Sequence, residues 1–414
     1  MNQIAKIKLI TTMSSMLEFY DFALLIFLAP TLRLILFPHS DIQTHQLLLL
    51  SIFASGYLTR IIGGIWFSHY GDRLGRKSTY IKTVAIMTAA SFGIALLPSY
   101  AESGYVGLIC LIFLRLIQGL SLGGEIPGAI VFAAEHSEIN RRGFTTGLIV
   151  AGVTSGNVVA SGLLVLLTTY LSHDSFTQYG WRLMYIAGAL FSLFSLYLRQ
   201  SISETPVFLE LKNKVETFPA KIFLRRYKSK LILGVLITSA PAIAISSIYQ
   251  LYYLSDITLA LPISMHTFIL LSFICTCIGA IVSGLVSDKI GRIPIIRLSC
   301  IIIFLLPLSY HCFYKCSLLL AFLPLIVNSA LISGVYEATL SELMPTQIRF
   351  TGIALCLNLA FSTIGGCSPL LMEWLNLHGV NSAISWIPAF ISIPLFIASF
   401  YWKDHFNLSL NSNN

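Results

Sequence analysis

Charge is what this chain has least of. Asp, Glu, Lys and Arg make up 11% of its 414 residues, under half the share of about 25% usual in soluble globular domains. Hydrophobic residues make up 56%, and the mean hydropathy is +0.81, which excludes a water-soluble globular protein. The eight cysteines form no CxxC pair and no metal-ligand spacing, and most lie inside apolar runs where Cys acts as a small apolar residue. The nine histidines are scattered, and no nucleophile sits in a recognisable catalytic string, so a conventional enzyme is not indicated and no cofactor is implied. The net charge of +8 comes without a basic stripe interleaved with aromatics, which argues against nucleic acid as a partner.

Long apolar runs are abundant. They mostly exceed the roughly 18 to 20 residues that cross a bilayer core as helix, whereas transmembrane strands would read as alternation over about ten residues. The reading is an all-α integral membrane protein with twelve spans, near 9–37, 46–69, 79–98, 104–134, 142–170, 180–199, 231–254, 265–287, 294–313, 317–342, 350–376 and 382–402. The expected organisation is a six-helix half over 1–199, a linker over 200–230, a second half over 231–403 and a short tail over 404–414. Lys6, Lys8, Arg73, Arg76, Lys77, Arg141, Arg142, the basic linker, Lys289, Arg292, Arg297, Arg349 and Lys403 fall on alternate sides of this plan. The positive-inside rule makes that side cytoplasmic, with both termini there. Lys6 and Lys8 precede an apolar run, but Glu18 and Asp21 interrupt it and no convincing cleavage site follows, so the first span is read as uncleaved. The tail DHFNLSLNSNN carries no heptads, so a coiled-coil extension is not expected.

Ionisable residues inside spans each cost several kcal/mol unless paired or hydrated, which makes them functional candidates. In LEFYDFALLIFLAP, Glu18 and Asp21 are three positions apart and face the same way. In RLIQGLSLGGEIPGA, Arg115, Gln118 and Glu125 share a face within about 80° at 100° per residue, beside Gly119 and Gly123, where another backbone can approach. Arg115 and Glu125 are about 15 Å apart along the axis, so each needs a partner on another helix. Arg60 lies in the second span, and the acids of the first span are expected to face Arg60, Arg115 and a hydrated cavity. The second half offers Tyr249, Gln250, Asn328 and Asn358 as cavity candidates; Tyr252 and Tyr253 read as interfacial anchors, and Glu337 and Glu373, near helix ends, as solvated.

The chain also repeats itself. SHYGDRLGRK follows the second span and GLVSDKIGR the eighth, both fitting G-x-x-x-D-[RK]-x-G-R except that Ser68 replaces the first Gly. A helix N-terminus favours an anion, so Asp72 and Asp288 are candidate latches, with Arg73, Gly75, Arg76, Lys77, Lys289, Gly291 and Arg292 completing the two gating loops. Ser68 in place of Gly is expected to loosen one helix approach.

This duplicated loop resembles the signature of the major facilitator superfamily. LEFYDFALLIFLAP, RLIQGLSLGGEIPGA, GWRLMYIAGAL, SISETPVF and ELMPTQIRFTG together resemble its metabolite:proton symporter family, which includes bacterial proline/betaine, α-ketoglutarate, citrate and shikimate carriers. The resemblance implies two six-helix halves, a monomer in a bacterial inner membrane, alternating access, and a small metabolite and a proton as the partners besides membrane lipid. The proton-coupling candidates are then Glu18, Asp21 and Glu125, and the substrate or ion-pair candidates Arg60, Arg115 and Gln118 with the polar groups of the second half. A proline- or betaine-type zwitterion is the favoured substrate. A di- or tricarboxylate is the alternative, and a transport-dead membrane sensor the alternative of a different class. The fifth span, GLIVAGVTSGNVVASG, lacks the Pro of a Gly-Pro-Gly-Gly antiporter string, which weighs against drug efflux.

Overall fold

The computed structural model describes residues 3–37, 42–74, 76–200, 219–251, 265–404 and 406. Among these residues ten helices are long and apolar enough to cross a membrane, and two shorter apolar helices bring the number to twelve. In chain order the first half holds α1 (Gln3–Leu36), α2 (Ile42–Leu74), α3 (Arg76–Ala95), α4 (Val106–Glu135), α5 (Arg142–Tyr170) and α6 (Trp181–Gln200). The second holds α7 (Lys228–Gln250), α8 (Met265–Ile290), α9 (Arg292–Phe313), α10 (Leu318–Leu343), α11 (Thr346–Leu377) and α12 (Ala383–Ala398). A short helix, Pro219–Arg226, precedes α7 and buries Ala220 and Phe223 while Lys221, Arg225 and Arg226 are exposed. The end of the bundle that carries Arg142, residues 288–292 and Arg349 is the basic end.

Exposure is inverted relative to a soluble protein: Leu308, Phe390, Ile109 and Phe113 present their side chains outward, as lipid-facing positions do where tails are as apolar as leucine. With no hydrophobic drive between helices, contact is made by small residues. A β-carbon at Gly63 would collide with the Leu120 carbonyl, and one at Gly119 with that of Gly56, so α2 and α4 meet backbone to backbone, as the glycines of RLIQGLSLGGEIPGA suggest. Ser68 is fully buried nonetheless, its hydroxyl turned onto the Ile65 carbonyl at 3.3 Å within its own helix.

Three spans are discontinuous where the sequence reading had them continuous. α9 breaks at Leu305 and restarts with Pro307 in its first turn, where proline's missing N–H costs nothing. α10 breaks between Ser333 and Tyr336, where the Gly334 backbone lies against the Ala280 carbonyl of α8. α11 carries a π-turn over Phe361–Gly366, from which the Ser362 hydroxyl donates to the Tyr57 carbonyl of α2. Such π segments recur at functional sites.

The halves meet along α5 with α8 and α2 with α11. In the first seam Gly143, Gly147 and Gly284 replace side chains by backbone; a β-carbon at Gly147 would stand 2.6 Å from the Ala280 oxygen.

Candidate functional site

The polar groups of the interior form three layers from the basic end to the opposite end. At the basic end, Asp288 accepts the Gly143 and Phe144 amides at 2.7 and 2.8 Å. These amides belong to the first turn of α5, whose unpaired N–H groups and positive dipole end suit a carboxylate. Asp288 is therefore placed as the latch reading requires, across the two halves. Arg292 holds it by an ion pair at 2.8 Å and reaches Glu342 at 3.0 Å; Arg142 of the other half reaches the same Glu342 oxygen at 2.9 Å. A second cross-half pair joins Arg349 and Glu135 at 3.3 Å. Gly291 sits at φ +95, a left-handed conformation that favours glycine, which accounts for the motif's second Gly. Lys289 is exposed. The counterpart loop's Asp72, Arg73, Gly75, Arg76 and Lys77 lie outside the described residues or side chains.

The middle layer lies in the first half and at the seam. Asp21 is fully buried on α1. It accepts the Ser91 hydroxyl of α3 and the Gln118 amide of α4 at 3.2 Å. Gly188 lets α6 pass over it, since a β-carbon there would stand 2.7 Å from Asp21 Oδ1. Arg115 donates to the Gln118 Oε1 at 3.2 Å and the Phe22 carbonyl at 2.9 Å, with its guanidinium 3.8 Å from the Phe22 ring centroid. Asp21, Gln118 and Arg115 are thus brought together, as their shared faces suggest, with the amide interposed between the two charges.

Arg60 departs from expectation. Instead of the first-span acids its partner is Asn358 of α11 at 3.3 Å, and its guanidinium lies 5.2 Å from the Tyr57 ring and 5.4 Å from that of Phe361. Asn358 in turn donates to the Gly123 carbonyl at 2.7 Å, tying α11 to α4. Glu125 is buried on α4, and the Glu18 side chain lies outside the described ones. Among the described residues, buried N–H groups of both arginines are unpartnered: Nη1 and Nη2 of Arg60, Nε and Nη2 of Arg115. Tyr249 packs edge-on against Phe27 and Phe53 and donates to Asn157 of α5 at 2.5 Å. Asn328 is buried on α10 with its amide nitrogen unpartnered among the described residues.

At the opposite end Glu373 is buried, correcting its reading as solvated. Gln46 of α2 and Gln250 of α7 each donate to it at 2.8 Å, so Gln250 serves this bridge between the halves. Glu337, also read as solvated, is fully buried. In both cases nearness to a span end does not set which face of the helix the residue presents. Tyr252 and Tyr253 lie outside the described residues. Asp404, to which the sequence reading gave no role, accepts the Arg292 and Ile293 amides at 2.6 and 3.1 Å and caps α9; an acid at the end of a chain carries no periodic signal that would reveal this.

Twelve helices in two halves, hydrogen-bonded to one another at both ends around buried arginines and an acid, are the architecture of a secondary transporter. The chain belongs to the Major Facilitator Superfamily, whose family model matches residues 11–368. It is similar to the glycine betaine/proline/ectoine/pipecolic acid transporter OusA of Dickeya dadantii, at 30% identity over 87% of this chain and 75% of the relative. It is also similar to the proline/betaine transporter of Salmonella typhimurium, 30% identical over 88% of this chain and 76% of the relative, and to the inner membrane metabolite transport protein YhjE of Escherichia coli, 29% identical over 94% and 92%. The resemblance to the metabolite:proton symporter family is borne out. Among solved structures, the proton:xylose symporter XylE bound to 6-bromo-6-deoxy-D-glucose superposes with TM-score 0.81 over 99% of this chain and 98% of that one at 17% identity, which speaks to the fold alone.

Proposed function

We propose that this transporter carries a small proline- or betaine-type zwitterion together with a proton by alternating access between its two halves. The observation that carries the reading is the pair of buried guanidinium groups of Arg60 and Arg115, with unpartnered N–H donors beside aromatic faces. A buried donor left unmade costs about 1–3 kcal/mol, so a substrate carboxylate there replaces a penalty with charge-assisted hydrogen bonds. The rings of Tyr57, Phe361 and Phe22 hold the two guanidinium groups by cation–π attraction and so fix the donors that a substrate carboxylate would meet. The names of the similar proline/betaine transporters support the same substrate class.

Asp21 is the proton-coupling candidate. Its described partners, Ser91 and Gln118, are neutral donors, and its Oδ1 is unpartnered among the described residues. Glu18 and Glu125 stand next in order. The basic end faces the cytoplasm in this reading, by the positive-inside rule, and one chain forms the complete pathway across a bacterial inner membrane. Two arginines also suit a di- or tricarboxylate, each taking one of its carboxylates, which keeps α-ketoglutarate and citrate as the second reading.

Uptake into proteoliposomes under an inward proton gradient tests both. The panel is radiolabelled proline, glycine betaine, α-ketoglutarate and citrate, with and without protonophore. Accumulation of proline or betaine that collapses with protonophore supports the proposal. Accumulation of only a carboxylate shifts it to the second reading, and gradient-independent equilibration removes the proton.

A further inference from the structure

Glu337 has no task in the transport reading. It lies one residue beyond the start of the second segment of α10, fully buried, with Oε1 accepting the Tyr336 hydroxyl at 3.0 Å and Oε2 unpartnered among the described residues. That segment packs against α4 and α5 of the first half and α7 and α11 of the second, and the Tyr336 hydroxyl that Glu337 accepts is within electrostatic reach of Arg60 of α2, which sets the Glu337–Tyr336 pair beside the seam that must part when the basic end opens. It stands five residues, about 7.5 Å along the helix and about 140° around it, from Glu342, which joins Arg142 to Arg292 across that seam.

The described cations on the packed helices are engaged elsewhere or lie toward solvent. Arg142 of α5 holds Glu342, Arg349 of α11 holds Glu135 of α4, and Arg115 of α4 lies on Phe22 and Gln118. Lys228 of α7 is exposed and Lys230 half-buried. Arg60 of α2, held by Asn358, is within electrostatic reach of the Tyr336 phenol. The acids on these helices, Glu125 and Glu135 of α4 and Glu373 of α11, bring no compensating charge.

An ionised carboxylate in such a place, with one neutral donor and no cation paired to it among the described residues, is strongly disfavoured. The closed arrangement therefore calls for the neutral acid, with its proton on Oε2 and the Tyr336 hydroxyl donating to Oε1. Parting of the seam admits water, to which Oε2–H gives its proton, leaving a hydrated carboxylate; reclosure requires a proton back from the same water. We infer that Glu337 is a second proton-binding site, in the second half, that permits the basic end to close only while it is protonated. The inference rests on the transport reading in taking the proton as the coupled ion.

The test uses the full chain in nanodiscs without substrate, with spin labels replacing the exposed Glu138 and Gln347, one in each half at the basic end, in a cysteine-free background. Electron–electron distance distributions are taken from pH 5 to pH 9. The wild type is expected to gain open population with rising pH, by about tenfold or more in the open-to-closed ratio. Glu337→Gln, which mimics the neutral acid and keeps its shape, is expected to stay closed throughout, whereas Glu337→Asp keeps a pH response. A wild-type distribution that ignores pH, or a Glu337→Gln profile matching the wild type, overturns the inference. Asp21→Asn, measured alongside, is expected to keep the response; transfer of the whole response to Asp21→Asn also overturns it. Because no substrate is used, failure of the uptake panel and failure of this site are read separately.

Discussion

Asp288→Asn isolates the latch between the halves. Two of the three contacts of Asp288 cross the seam, to the Gly143 and Phe144 amides at 2.7 and 2.8 Å, and the third, to Arg292, stays within one half. Opening breaks only the first two, so the Arg292 contact largely cancels from the difference between open and closed states. Asparagine keeps one acceptor oxygen and turns an NH2 group toward an amide donor. The closed state then loses one hydrogen bond to a charged group, about 1.5–3 kcal/mol, and the attraction of a full charge to the start of α5, about 0.3–1 kcal/mol. Together this is about 2–4 kcal/mol, or a factor of about 30 to 1000 in the open-to-closed ratio. Spin labels at positions 138 and 347 would report it as growth of the longer distance at every pH, unlike the pH-selective effect expected at Glu337. An unchanged distribution in Asp288→Asn refutes the latch, because no other described interaction of that carboxylate reaches the first half.

Asp21→Asn is expected to abolish proton-driven accumulation while sparing membrane insertion and folding, since an amide can still accept from Ser91 and Gln118; retained accumulation in proteoliposomes would move the coupling site to Glu18 or Glu125. Gly63→Val places a side chain where the Leu120 carbonyl already stands, and overpacking of this kind costs about 1–3 kcal/mol or more. A clear fall in thermal unfolding temperature is expected, against no comparable change for Gly162→Ala, whose nearest neighbour is 4.0 Å away; equal effects would refute the argument from close backbone approach.

Helix number follows from bilayer thickness and was legible in hydropathy alone. A close backbone approach to α4 was legible in the glycines four apart on one face, though not that α2 makes it, and so was Asp288 as an acceptor at a helix end, from the duplicated loop. Arg115 and Gln118 share a face because helical periodicity fixes it, and the meeting of that face with Asp21 of α1 is tertiary. Arg60 was harder: its position in the span says nothing about which half it meets, and its partner Asn358 lies 298 residues away in sequence. Glu337 and Glu373 show the same gap, since hydropathy gives depth along a helix but not the direction a side chain takes around it. The break in α10 is likewise tertiary: the Gly334 backbone is seated against α8, and no proline marks the place.

The seam between α5 and α8 has one more consequence. Interlocked side chains hold two helices in register, and sliding them apart requires many rotamers to change together. Where Gly143, Gly147 and Gly284 face the opposing backbone there are few teeth to disengage. That contact can act as a bearing, on which one half tilts against the other with little repacking along the axis of tilt. The resistance to motion is then concentrated in the polar clasps at the two ends, the Asp288, Arg292, Glu342 and Arg142 cluster and the Glu373 bridge.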